Sequence, residues 1–256
     1  VLSLTSGAIA PVINYSVDAS ALTGTSTINF GGITAAGNAL SIVGGSKADA
    51  ITTSGVNADV VDGRDGIDAI VITQDAATAE VVTVISSAEV SANSDLITGF
   101  ETAEDKFDYN GTLANGTGAG GGIAATEVAS AANIAAALAT GDAANDIVFI
   151  ATTDLTGAQE TALDAAVAGG MTATEADAVE AALVATGGAL AGTIANLDTV
   201  LGSGDSALFQ FSTNTDTMVL RITNTDTTVA NTLTTAEVEL VGVFAGATDL
   251  VAADYL

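Results

Sequence analysis

Three aspartates recur at one position of a glycine-containing nonapeptide. Asp49 is sixth in GGSKADAIT (44–52), Asp59 is sixth in SGVNADVVD (54–62), and Asp68 is sixth in GRDGIDAIV (63–71). Two residues after each comes a large apolar residue: Ile51, Val61 or Ile70. Glycine turns can adopt backbone angles closed to other residues. Such turns can present carbonyl oxygens beside a carboxylate. Oxygen ligands of that kind suit a hard divalent cation such as Ca²⁺, at roughly 2.3–2.6 Å. The chain has no Cys and no His, so thiolate and imidazole sites are excluded and oxygen ligation is what remains.

The pattern is a degraded form of the repeat G-G-x-G-x-D-x-U-x of calcium-binding β-rolls, where U is apolar. Lys47 stands at the fourth position of the first unit. Ser54 and Asn57 stand at the first and fourth of the second, and Arg64 at the second of the last. The last unit keeps Gly63, Asp65, Gly66 and Asp68, so Asp68 with Asp65 is the leading candidate, followed by Asp59 and Asp49. Asp62 closes the second unit and joins this metal set. A second acidic segment, DLITGFETAEDKFDY (95–109), adds Asp95, Asp105 and Asp108. The same spacing fits a β-solenoid whose aspartates are merely solvated turn residues, and both readings stay open at this point. Asp216 and Asp226 read as turn residues, Asn224 with Asp226 near a strand end is a weaker alternative ion-ligand pair, and Gln159 and Glu175 read as helix-start residues.

These turns need short strands to hold them. Ser26–Phe30, Ala39–Val43, Ala69–Thr73 and Glu80–Ile85 alternate or run apolar between Gly-rich breaks, as strands do. Stacked coils would align the aspartates along one edge. The glycine-rich run 115–122 marks a boundary. Val128, Ala131, Ala135 and Leu138 predict a helix over 126–140, and Ile147–Ile150 a short strand. A second helix starts near Thr156 and Gln159, carries Leu163 and Val167 inward, and stops at Gly169-Gly170. Thr172 and Glu175 have capping-box spacing for a third, with Val179 and Leu183 on its apolar face. Ala207–Phe211 and Met218–Ile222 flank STNTDT and predict a hairpin, and Ala236–Phe244 the last strand.

The expected fold class is therefore mainly β: a parallel β-roll or β-solenoid with calcium-binding turns, plus a small helical insertion and C-terminal β-hairpin strands. The expected divisions are 1–110 for the solenoid, 111–203 for the helical insertion or subdomain, and 204–256 for C-terminal strands capping the roll.

Composition narrows function. The 256 residues carry 31 acidic and four basic side chains, a formal charge of −27. That much like charge opposes compaction, and bound cations relieve it. Four basic residues cannot build a phosphate-binding face, so nucleic acid is not an expected partner. No stretch approaches the roughly 20 apolar residues of a membrane-spanning helix. Without His or Cys the usual general base and thiol nucleophile are missing, and no P-loop or dinucleotide fingerprint is present, so an enzyme is not expected. The chain opens VLSLTSGAIA without Met or a basic n-region, and is expected to be a fragment or processed product.

Three segments carry a resemblance: VDASAL (17–22), the repeats at 44–71 with DLITGF (95–100), and VELVGV (238–243) with TDL (248–250) and the tail to Leu256. Together they resemble the C-terminal region of RTX-like bacterial surface-layer (S-layer) proteins exported by type I secretion. The resemblance implies a structural subunit of a calcium-dependent lattice, secreted to the cell surface, with a C-terminal secretion signal. Its implied partners are copies of itself in a two-dimensional array, the type I exporter and a cell-surface polysaccharide. The other expectations are a calcium-stabilised module of a secreted adhesin and the noncatalytic tail of a secreted hydrolase.

Overall fold

Strands of three or four residues can bury only one or two side chains each, so the first half of this chain builds its core by stacking many of them. The computed structural model describes residues 2–5, 14–31, 39–55, 58–74, 83–86, 94–109, 123–128, 146–151, 155, 157–185, 204, 206–225 and 234–256. Ten strands occupy the first half: β1 (Leu2–Thr5), β2 (Tyr15–Asp18), β3 (Ser26–Asn29), β4 (Leu40–Val43), β5 (Ala50–Thr52), β6 (Val60–Asp62), β7 (Ala69–Val71), β8 (Thr83–Ser86), β9 (Asp95–Thr98) and β10 (Lys106–Tyr109). Odd-numbered strands enter a larger sheet in the order β1-β3-β5-β7-β9, and even-numbered strands form a five-stranded sheet, β2-β4-β6-β8-β10. Every pairing among these ten is parallel.

The register stacks like residues. Ile28, Ile51, Ile70 and Ile97 are successive partners in the larger sheet. Ile42, Val61, Val84 and Phe107 are successive partners in the smaller one. All eight are essentially inaccessible and belong to one core between the sheets. Each such side chain contributes about 1.5–3 kcal/mol through burial. Close stacking also dictates glycine. Gly66 has φ 116°, and a Cβ there would lie 2.6 Å from Ala48 N in the neighbouring turn.

The second half is built differently. β11 (Ile123–Val128) and β12 (Asp146–Ala151) are parallel, and β12 is parallel to β13 (Ser206–Ser212). β14 (Asp216–Thr223) is antiparallel to β13 and to β15 (Val238–Ala245), and β15 joins β9 in parallel. The larger sheet thus has ten strands, running from β9 through β15-β14-β13-β12 to β11. Its antiparallel strands are buried on both faces. Leu208, Val219, Val241 and Phe244 face the core between the sheets. Phe209, Leu220, Leu240 and Val243 face a second core under two helices, α1 (Ala158–Gly169) and α2 (Ala173–Val184). Leu163, Ala166, Ala176, Val179 and Leu183 are the buried helical residues of that core. Gly170, at φ 78°, ends α1 and donates its N–H to the Ala166 and Val167 carbonyls.

The expectation of a mainly-β parallel roll or solenoid is corrected. The described residues form a mixed α/β fold of two helices and two sheets, one parallel and one mixed. The physical reason lies in β13–β15. They are seven or eight residues long, antiparallel, and apolar on both faces, so they need a helical layer that a stack of short coils does not provide. Two local expectations also change. Thr126–Val128 belong to β11, paired with Phe149–Ala151, so no helix starts there; pairing with an apolar strand overrides the helical spacing. Residues 129–140 lie outside the described residues, as do the glycine-rich run 115–122 and Asp226. The Thr172–Glu175 capping box does not form, because Thr172 makes no side-chain cap.

Candidate functional site

Asp49 and Asp68 immediately precede β5 and β7, two neighbouring strands of the larger sheet. Asp95 opens β9, the next strand over. Each carboxylate reaches back one coil and accepts a backbone N–H. Ser26 N–H donates to Asp49 Oδ1 at 2.5 Å, Asp49 N–H to Asp68 Oδ1 at 2.7 Å, and Asp68 N–H to Asp95 Oδ1 at 3.1 Å. All three side chains are buried. The result is a ladder in which every rung is an acid and the hydrogen-bond donors are main-chain amides.

Asp59 lies elsewhere. It precedes β6 in the smaller sheet, where Oδ1 accepts Leu40 N–H at 2.9 Å and Oδ2 accepts the Ser54 N–H and hydroxyl. Successive nonapeptides alternate between sheets, so the in-phase spacing brings Asp49 to Asp68 and sends Asp59 to the other sheet. Asp62 ends β6 and holds its own turn by accepting Arg64 N–H at 3.0 Å; Asp18 and Asn29 do the same for Ser20 and Gly31. Asp65 is exposed on the turn. Asp105 is buried and staples a loop, accepting Glu101 N–H and Gln74 Nε2. Asp108 is half-buried in β10, and burial raises its pKa.

The ladder is not uniform. The second oxygen of Asp49 accepts Gly45 N–H at 2.6 Å. The second oxygen of Asp68 has no partner, though it is fully buried. The amide at the position matching Gly45 is Arg64 N–H, and Asp62 has taken it. Burial, with Asp49, Asp62 and Asp65 adding like charge, pushes the Asp68 carboxyl up to about 8, against the Asp49 N–H that lowers it. Burial and the charges of Asp68 and Asp62 push Asp95 well above the usual carboxylate range. Asp59 and Asp62 are raised by burial too. Among the described residues no ion pair involves these aspartates.

Sequence spacing alone did not single out the orphan oxygen. The signal was there in Arg64, which replaces the second glycine of the repeat while Asp62 takes its amide. Asp68 Oδ2 packs directly against Gly63, where a Cβ would overlap it, so the turn needs glycine at 63. Gly44, on the stacked turn, likewise faces the Gly63 carbonyl and Asp49 Oδ2. A buried carboxylate oxygen without a donor, acted on by the charges of Asp49, Asp62 and Asp65, has the chemistry that suits a hard cation. Among the described residues no three acidic side chains converge closely enough to form a cage by themselves. Backbone carbonyls and water would have to complete any coordination shell.

A second acidic feature is a cleft of about 530 Å³ between α2 and the start of β15, lined by Asp177, Glu180, Thr235, Val238 and Glu239. Glu180 Oε1 accepts Leu240 N–H at 2.8 Å, and Glu239 pairs with Arg221, so these acids are engaged in holding the sheet. No helix among the described residues is long and apolar enough to cross a membrane.

The chain matches no protein-family model, no curated protein and no solved structure. The resemblance to RTX-like S-layer proteins is therefore corrected, and with it the lattice-subunit, adhesin and hydrolase-tail readings and the C-terminal secretion signal. The mixed α/β architecture and the lack of any match leave the three quoted segments as local sequence patterns.

Proposed function

We propose that this chain is noncatalytic and that its parallel-stranded half is tightened by a hard divalent cation, Ca²⁺, taken up at the turn that buries Asp68. The unpartnered, fully buried Asp68 Oδ2 carries this reading. Three further acids, Asp49, Asp62 and Asp65, act on the same carboxyl and raise the cost of leaving it charged. A cation there offsets that repulsion, so its binding free energy becomes folding free energy. The absence of His and Cys supports a noncatalytic role and oxygen ligation.

A calcium titration followed by calorimetry and thermal unfolding tests it. Wild type should bind Ca²⁺ and gain about 2.7 kcal/mol at a hundredfold excess over Kd. Asp68→Asn should fold and lose that response, because its amide nitrogen cannot ligate. Asp59→Asn should keep it. A wild-type chain that binds no Ca²⁺, or an Asp68→Asn chain that binds it equally well, overturns the assignment.

A further inference from the structure

The last eleven residues leave the larger sheet and close the gap to the smaller one. Gly246, at φ 81°, turns the chain out of β15, and Asp249, at φ 57°, turns it again. Ala247 and Leu250 enter the core between the sheets. A 3₁₀ turn (Ala252–Asp254) then leads to Tyr255, which bridges in parallel to Phe107 on the outer edge of β10. That edge is where the five-stranded sheet ends.

The strap is held by a specific seat. Asp254 Oδ1 accepts Ala103 N–H at 2.6 Å, and Lys106 Nζ donates to the Ala253 carbonyl at 2.7 Å. Leu256 N–H donates to the Phe107 carbonyl at 3.1 Å. Tyr255 OH donates to buried Gln210 Oε1 at 2.5 Å, while Gln210 Nε2 donates to the Leu250 carbonyl at 3.0 Å. The Tyr255 ring meets Phe107 edge-on, centroids 6.1 Å apart. The seat thus reads an amide-bearing edge, a carboxylate and a phenol at fixed spacing. Around these buried anchors the strap is exposed: Val251 and Leu256 are 40% and 46% accessible.

We propose that the β10 edge with Gln210 is a recognition site for an Asp-Tyr-Leu segment that leaves a 3₁₀ turn, and that the strap of a second copy can occupy it in place of the chain's own. The contacts just described run to residues at least 40 positions away, apart from the strap's own turn, so an identical strap arriving from a second copy makes the same bonds. Exchange needs a hinge and no new interface. Gly246 is suited to that hinge, because open space surrounds its Cβ position. An edge strand left bare by a departing strap also favours a replacement strand.

The test uses a fluorescent peptide of residues 248–256 and full-length chains. Tyr255→Ala and Asp254→Asn chains, each checked for folding by circular dichroism, have loosened straps. The peptide should bind a folded variant at least about tenfold more tightly than wild type, whose own strap competes. A peptide carrying Tyr255→Ala should bind neither. Wild type brought to high concentration should form dimers that excess peptide dissociates. Equal binding of the two peptides to a folded variant, or no binding, overturns the seat. A wild-type chain that stays monomeric across the concentration series overturns the exchange.

Discussion

Asp68 and Glu237 are both buried acids, and each stands immediately before a strand of the same ten-stranded sheet. Their surroundings differ in kind. Asp68 precedes β7 in the parallel half, has one oxygen bonded and one bare, and faces three other aspartates. Glu237 precedes β15 in the antiparallel half. Its Oε1 accepts the Thr225 N–H and hydroxyl, and its Oε2 accepts the Thr234 N–H and hydroxyl. Burial raises Asp68, whereas for Glu237 the four donors outweigh burial and lower the pKa. Charge is a liability at one strand entrance and an anchor at the other. The difference is that the chain's own donors satisfy both oxygens of Glu237 and only one of Asp68.

The largest effect should come from the seam that joins the halves. Phe244 lies on β15, next to β9, and its ring packs edge-on against Phe100 and Phe107 at centroid distances of 4.9 and 5.2 Å. Phe107 belongs to the smaller sheet, so one side chain ties both sheets together. Phe244→Ala should cost about 3–5 kcal/mol. In urea unfolding followed by far-ultraviolet circular dichroism, the midpoint should fall and the transition should broaden or split as the halves uncouple. A loss confined to a smaller, still single transition would show that the halves are joined through the β9–β15 backbone rather than through this ring.

The next effect separates the halves by pH. The folded Asp68 carboxyl is raised to about 8, above its ordinary 3.8. A group raised on folding contributes stability that is complete below the unfolded value and is lost as pH rises through the folded one. With chelator present, wild type should therefore be more stable near pH 4 than near pH 8, by on the order of a few kcal/mol from this group. Asp68→Asn should flatten that slope and raise the chelated chain's stability at pH 8. Calcium should reverse the order for wild type, since protons and the cation compete for one carboxylate. Thermal midpoints across pH, with and without calcium, read both signs. A chelated wild type that gains stability from pH 4 to pH 8 contradicts the assigned environment.

The parts of the fold legible in the sequence are those set by short-range physics. The hairpin around STNTDT forms, with Phe211 opposite Met218. The Gly169-Gly170 stop ends α1, and Leu163, Val179 and Leu183 point inward. Ile51, Val61 and Ile70 are buried at their repeat positions. The parts that were not legible depend on long-range pairing. β15 joins β9 across more than 140 residues, and no local pattern announces that seam. It is what converts one sheet to mixed pairing and creates a second core. The candidate site was half legible. Asp49 and Asp68 share a line, but Asp59, in phase with them in the sequence, lies at the other sheet, and Asp95, from the separate acidic segment, completes the row. Asp49, Asp68 and Asp95 each use a carboxylate oxygen on a main-chain amide, and one Asp68 oxygen remains unused. That remainder depends on which carboxylates the fold brings to main-chain amides, and Arg64 N–H goes to Asp62, two residues before it.

The smallest effect is the mirror image of the pH effect. Glu237→Gln keeps the shape of the side chain and one carbonyl oxygen. It replaces the other oxygen with an amide group that cannot accept from Thr234 or Thr225. The variant should lose about 1.5–3 kcal/mol near neutral pH, the usual worth of a hydrogen bond to a charged group. A group lowered on folding contributes stability that is present above its unfolded value, near 4.5, and lost as pH falls through the folded one. Wild type should thus lose this contribution in acid while Glu237→Gln has none to lose, so the two chains converge as pH drops below about 4. The convergence should survive calcium and chelator alike, because both oxygens of Glu237 are already bonded within the chain. If chelator alone erased the difference between the two chains, the antiparallel half would depend on the cation as well, and the contrast between the two strand entrances would be lost.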